Sequence, residues 1–225
     1  MTIELIEATL QELSKKRPIF WSEADFQFSF AWEIKNKFPG VEIRLERRVD
    51  IPSRTKKDKK DPAYIDIWIE DKGKIFPIEL KYKTHECNSD FCGELFKLKT
   101  QSACDIGSHN YIKDIWRIEQ LSQMENFERG YAIMITNEPI YWKKPNGEDI
   151  TTFRDFRIFD GRRIKRNDKL EWHSSSDGST NNLLDWQKKE GPLCISQAHK
   201  ITWKDYSLLD GKYGHFRYSI LEINR

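Results

Sequence analysis

The sequence predicts an α/β domain with a mixed central sheet and helices packed on its faces. Three observations carry that reading. Two stretches near the N-terminus repeat apolar residues at helical spacing. Three stretches between residues 41 and 81 alternate apolar with polar residues, the pattern of half-buried strands. A further helical stretch is then followed by the short apolar run Tyr131–Thr136 (YAIMIT), which reads as a buried strand.

Taken in order, Ile3, Ile6, Leu10 and Leu13 form one stripe on a helix over residues 3–16, and Pro18 ends it. Ser22 is the expected N-cap of the second helix. Asp25 is placed three residues on for a capping box, and Trp21 and Phe26 take the two hydrophobic-staple positions. The stripe continues through Phe30, Ile34 and Phe38 until Pro39-Gly40 stops it. The strands are expected at Val41–Val49, Tyr64–Glu70 and Lys74–Lys81, with Asp71-Lys72-Gly73 turning the second into the third. Residues 94–126 read as a helix in two pieces broken near Gly107, the second carrying Ile112, Ile115, Ile118 and Leu121. Beyond the YAIMIT strand, Phe153–Lys169 suggests a strand pair turning at Asp160-Gly161. Ser174–Asn182 reads as a polar loop and Phe216–Ile223 as a closing strand. No repeat and no clean boundary divides the chain. The expectation is therefore one domain over 1–225, with a core at about 20–137 and a β-rich extension at about 138–225.

Composition narrows the function classes. With 38 Lys and Arg against 36 Asp and Glu the net charge is only +2, which argues against a strongly basic architectural DNA-binding protein but leaves local charge clusters open. The N-terminus is amphipathic and acidic rather than signal-like, and no apolar run is long enough to span a bilayer. Four cysteines without a disulfide-like framework make a reduced, cytoplasmic protein the expectation. Cys87 and Cys92 form an isolated pair, so no zinc site is expected.

The chemistry gathers on one hairpin. With a turn at residues 71–73, paired positions sum to about 144 or 145, so Asp66 faces Glu79 or nearly so, and Lys81 points to the same side. Ile65, Ile67, Ile69, Phe76, Ile78 and Leu80 are expected on the opposite, apolar face. Facing carboxylates repel, and a divalent cation would relieve that repulsion; two carboxylates with waters and phosphate oxygens suit Mg²⁺. Taken alone, the same residues also fit a solvated strand face with a surface ion pair. What favours the catalytic reading is that both acids interrupt strongly apolar strands.

Asp66, followed by Ile78-Glu79-Leu80-Lys81 and set in the order helix, three strands, helix, strand, resembles the PD-(D/E)XK nuclease superfamily. Ser22–Gln27, Tyr64–Trp68, Ile78–Lys83, Tyr111–Glu119, Trp203–Ser207 and Phe216–Tyr218 are similar to a bacterial group of that fold, so the resemblance covers most of the chain. The departure is Ile65, which stands where the superfamily pattern has proline.

The resemblance implies a restriction-endonuclease-like core and a metal-dependent nuclease, with DNA the expected substrate and Mg²⁺ (or Mn²⁺) the cofactor. An inactive nucleic-acid-binding module of the same fold is the alternative. It implies Asp66, Glu79 and the Leu80 carbonyl as metal ligands and Lys81 as the catalytic lysine. Glu23 is the matching acid on the first helix of that core, although a first-turn acid complementing the helix dipole explains it equally. Gln101, on the helix expected after the third strand, is a further catalytic candidate. Asp105, Asp114 and Arg117 are explained as well by capping and helix-surface pairing. Arg47, Arg48, Arg54, Lys56 and Lys57, on the first strand and the loop leading to the second, are the expected nucleic-acid contacts. A second basic run, Arg154–Lys169, is weaker, and burial is the default for most of the eight tryptophans. A homodimer would suit double-strand cutting.

Overall fold

The computed structural model describes residues 1–101, 103–147, 149–174 and 183–225. The expected polar loop at Ser174–Asn182 therefore falls, beyond Ser174, outside the described residues. Helix α1 (Ile3–Lys16) and helix α2 (Glu23–Lys37) form where the periodicity places them. Ser22 caps α2 by accepting from the Asp25 N–H at 3.2 Å. The staple differs from expectation. Phe20, rather than Trp21, packs on Phe26, while Trp21 turns outward, stacks on Phe96 and donates to Glu94. Asp25 accepts from the Trp21 N–H and pairs with Arg17, so it bridges one residue upstream of the expected capping-box partner.

Strands β1 (Glu42–Pro52), β2 (Lys60–Asp71), β3 (Lys74–Lys83), β6 (Arg129–Thr136), β11 (Lys204–Leu208) and β12 (His215–Asn224) make the central sheet, in the order β1-β2-β3-β6-β12-β11. Only β3 and β6 run parallel; the other pairs are antiparallel. The tight β2–β3 turn uses Lys72 and Gly73, both at positive φ, the conformation that hairpin turns favour. On one face, α1 and α2 bury Ile6, Leu10, Phe26, Phe30 and Ile34 against Ile67, Ile69, Ile78, Leu80 and Ile133. On the other, helix α3 (Cys104–Leu121) buries Tyr111, Ile112, Ile115 and Ile118 against Trp68, Ala132, Met134, Leu221 and Ile223. These helix stripes and strand faces are apolar because each is closed from water on that side.

Two expectations fail between β3 and α3. Residues 87–98 form a small hairpin, β4 (Cys87–Phe91) with β5 (Glu94–Leu98), where the start of a helix is expected. Phe96 and Leu98 are buried while Leu95 is 52% exposed, which is period two rather than helical. Cys92 and Gly93, at φ 54° and 81°, supply the turn. Helix α3 is then continuous, and Gly107 does not break it. Gly107 is there for close approach: a Cβ at this position would lie 2.1 Å from the Tyr141 hydroxyl, itself buried. Ordinarily Gly→Ala inside a helix gains about 1 kcal/mol. Here Gly107→Ala is expected to lower the denaturation midpoint instead, and to cost less in a Tyr141→Phe background, which lacks the clashing hydroxyl. A stabilised single variant would refute this packing argument.

The C-terminal extension completes the α3 face. It contains a short 3₁₀ turn (Arg154–Phe156), β7 (Arg163–Ile164), β8 (Lys169–Leu170), α4 (Asp185–Glu190), β9 (Leu193–Cys194) and β10 (His199–Lys200). Asp160 and Gly161 do turn, but β7 pairs with β10 and β8 with β9, so Phe153–Lys169 is not one strand pair. Buried Glu119 at the end of α3 clasps the extension. It accepts from Ser196 N–H at 2.7 Å, Gln197 N–H at 3.0 Å and His199 Nε2 at 2.8 Å.

Candidate active site

Strands β2 and β3 pair from the turn as far as Ile67 opposite Ile78, on the register that sums to 145, and then separate. Asp66 and Glu79 are the next residues beyond that last pair. The β1–β2 ladder is interrupted at the same level, where Glu46 takes a positive φ of 51°. The side-chain alternation of β2 slips there. Ile67 and Ile69 join the α1–α2 core, but Ile65 joins the α3 core, contrary to the single apolar face expected for all three.

The separation leaves the β2-side backbone of β3 without a strand partner, and two carboxylates take its place. Asp66 Oδ2 accepts the Leu80 N–H at 2.5 Å, and Glu23 Oε2 accepts the Tyr82 N–H at 2.8 Å. Gln27, one helical turn after Glu23, donates to the Asp66 carbonyl and to Glu46, both at 2.7 Å. So Glu23 and Gln27 do face the site together. The Leu80 carbonyl accepts from Lys81 Nζ at 2.8 Å.

Helix α3 closes the site from the other side with two residues that sequence reasoning left as helix-surface partners. Asp114, only 2% exposed, lies 2.8 Å from Lys81 Nζ through Oδ2, off hydrogen-bond alignment, and accepts from Arg117 through Oδ1 at 3.1 Å. Arg117 also donates to Glu79 Oε1 at 3.2 Å. Lys81, Asp114, Arg117 and Glu79 thus form a linked ionic chain beside Asp66. The i, i+3 spacing of Asp114 and Arg117 is visible in the sequence, but the burial of Asp114 and the contact of Arg117 with Glu79 are not.

Burial dominates the electrostatics. It pushes the Asp66 carboxyl up to about 6, against the pull of Lys81 and the Leu80 N–H. It holds Glu79 well above the ordinary glutamate range, with Asp114 and then Asp66 adding to the rise. Burial opposes the charge on Lys81, but Asp114, Glu23, Asp66 and Glu79 outweigh it, so the ammonium titrates above its usual value.

The remaining expected residues lie elsewhere or are already engaged. Gln101 is not on a helix: it is exposed in the segment before α3, where its N–H pairs with the Thr84 carbonyl. Arg47 pairs with Glu70 and lies 4.0 Å above the Trp68 ring; Arg48 pairs with Asp50. Arg54 is held by Glu190 beside Trp116. Lys56 and Lys57 are exposed. In the second basic run, Arg157 is held by Asp149 and Arg162 by the carbonyls of Asp155 and Arg157. Trp68, Trp116, Trp172 and Trp203 are buried, whereas Trp32 is 59% exposed and stacks on Phe28.

Among the described residues no group of three or more His, Cys, Asp or Glu is arranged to enclose a metal ion. No helix among them is long and apolar enough to cross a membrane. Comparison of the chain with protein-family models, curated proteins and solved structures found no match.

Proposed function

We propose that this chain is a nuclease of the restriction-endonuclease-like, PD-(D/E)XK type that hydrolyses phosphodiester bonds, with DNA its first expected substrate. The observation that supports this most is the opening between β2 and β3, where Asp66, Glu79, Glu23, the Leu80 carbonyl and Lys81 converge. A sheet gains nothing from such a gap. The desolvation and repulsion that raise both carboxyls are costs that a ligand would offset.

The donor chemistry fits a hard divalent cation. Asp66, Glu79, Glu23 and Asp114 surround Lys81, and Arg117 adds the other positive charge, so with all six ionised two negative charges are uncompensated. Every candidate ligand is an oxygen, which suits Mg²⁺ or Mn²⁺. Asp66, Glu79, Glu23 and the Leu80 carbonyl would hold the ion after turning from their present partners, the Leu80 N–H, Arg117, the Tyr82 N–H and Lys81, with waters or substrate oxygens completing its shell. When bound, such an ion would offset the carboxylate charge and polarise a phosphoryl oxygen.

The roles of the side chains follow from their protonation. Lys81 stays an ammonium throughout the neutral range, so it does not serve as a general base. It stabilises the negative charge that builds on the phosphoryl oxygens in the transition state. Asp114 aims that ammonium and Gln27 fixes the backbone of Asp66. Burial raises the metal-free Asp66 carboxyl to about 6, so a proton competes with the metal there: at low Mg²⁺ cleavage is expected to fall as pH drops below about 6, and that acid limb should move to lower pH as Mg²⁺ is raised. An acid limb that does not move with Mg²⁺ would count against Asp66 as the titrating ligand.

The deciding experiment is cleavage of plasmid and of single-stranded DNA in Mg²⁺, Mn²⁺ or EDTA by wild type, Asp66→Ala and Lys81→Ala. Metal-dependent cutting lost in both variants supports the assignment. One observation favours a second reading: Lys81, Asp114, Arg117 and Glu79 already partner one another. A protein that binds DNA and never cuts it would make the site a structural ion network in a nucleic-acid-binding module.

A further inference from the structure

Arg117 is placed differently from every other cation at the site. Its Nη1 is shared between Asp114 and Glu79, while Nε and Nη2 have no hydrogen-bond partner among the described residues. Its side chain is 26% exposed, against 13% for Lys81, 3% for Asp114 and 1% for Glu79. It is therefore the solvent-facing end of the ionic chain. Asp114, fixed on the same helix three residues earlier, sets where the guanidinium sits. The arginines expected to touch the nucleic-acid backbone are committed elsewhere: Arg47 to Glu70, Arg48 to Asp50 and Arg54 to Glu190.

A phosphodiester approaching Asp66 and Glu79 meets carboxylates that repel it. A cation at the exposed rim reverses that field, and a guanidinium does so with directed donors. Two of its nitrogens can engage two phosphate oxygens in one plane, which an ammonium cannot do.

We propose that Arg117 grips a phosphate of the nucleic-acid backbone through its unengaged Nε and Nη2, next to the bond that is cut. This rests on the nuclease reading and adds to it a substrate-binding residue on α3. The contact is to phosphate, so it is independent of base sequence.

The test is binding rather than cutting. Fluorescein-labelled duplex and single-stranded DNA are titrated with wild type, Arg117→Gln and Arg117→Lys, in EDTA and in Ca²⁺, over a range of salt concentrations. Glutamine keeps a donor for Glu79 or Asp114 but removes the charge and the fork. The expected result is about tenfold weaker binding by Arg117→Gln for every sequence, with the salt slope shallower by about one, and partial recovery in Arg117→Lys. Wild-type affinity and slope in a folded Arg117→Gln would overturn the proposal and leave the nuclease reading standing. If Arg117→Gln does not fold, Arg117→Lys decides: weaker binding at an unchanged slope supports the guanidinium contact, and unchanged binding overturns it. Wild type that neither binds nor cuts either DNA would bring down the nuclease reading itself, and this inference with it.

Discussion

Glu79→Gln is expected to reduce metal-dependent cleavage by about a thousandfold while making the metal-free protein more stable. Both signs come from one cause. Glu79 is 1% exposed, and burial with Asp114 and Asp66 as neighbours holds its carboxyl well above the ordinary range. A carboxyl whose folded pKa is raised binds protons more tightly in the native state than in the unfolded chain. Its ionisation therefore weakens the fold as pH rises through that value, and acidification restores the stability. Asp66 behaves the same way between the ordinary aspartate value of 3.8 and about 6, an interval that corresponds to at most about 3 kcal/mol. A neutral isostere at position 79 removes the desolvated charge and keeps an acceptor for Arg117. In EDTA at neutral pH, Glu79→Gln is expected to melt above wild type. Added Mg²⁺ should then stabilise wild type and not the variant, because ligand binding to the native state raises stability by mass action. A variant that melts below wild type in EDTA would show that the Arg117 pair outweighs the desolvation. Retained cleavage would remove Glu79 from the active site.

Glu119→Ala is expected to cost about 3–5 kcal/mol of unfolding free energy, the largest effect on the fold from a single side chain. The Glu119 carboxylate is fully enclosed, and His199 beside it is 3% exposed. Its removal strands the N–H groups of Ser196 and Gln197 and the His199 ring without the acceptor they share. Those residues join β9 to β10, so the loss also frees the segment that seals α3. Urea unfolding of both proteins measures the difference from the shift in midpoint at constant slope. A loss under about 1 kcal/mol would mean that water replaces the carboxylate. Cleavage measured at low temperature, where the variant is folded, should stay near wild type, because the Glu119 carboxylate bonds to Ser196, Gln197 and His199 and, among the described residues, to none of Asp66, Glu79, Lys81, Asp114 or Arg117.

Much of the core was readable from one dimension. The stripes of α1 and α2, the Ser22 cap, the register of the β2–β3 hairpin and the closing strand all rest on local periodicity or turn chemistry, and the structure has each of them. Asp66 and Glu79 were conspicuous as acids inside apolar strands, Lys81 followed from its place on the same side of the hairpin, and Glu23 was singled out only by the family resemblance. The errors have a shared origin. Leu95 and Leu98 fit a helical stripe, but partner strands decided that Phe96 and Leu98 are the buried pair. Gly107 carries the same residue type as a helix break, and only the approach of Tyr141 shows that it is a contact. Gln101 moved off the helix once the hairpin took its residues. Arg47, Arg48 and Arg54 read as part of a binding surface, yet Glu70, Asp50 and Glu190, brought in from other elements or from the same strand, engage them.

By itself, then, the sequence determined α1, α2, the strands β1–β3, β6 and β12, the β2–β3 turn and the identity of the hairpin carboxylates, because those depend on residues within a few positions of one another. Tertiary structure alone decided that β2 and β3 part at Asp66, that Ile65 changes sides, that Asp114 is buried beside Lys81 with Arg117 bridging it to Glu79, and that the Asp66 and Glu79 carboxyls titrate high. Each of these depends on how much water remains around a group, and that is set by elements distant in the chain closing over it.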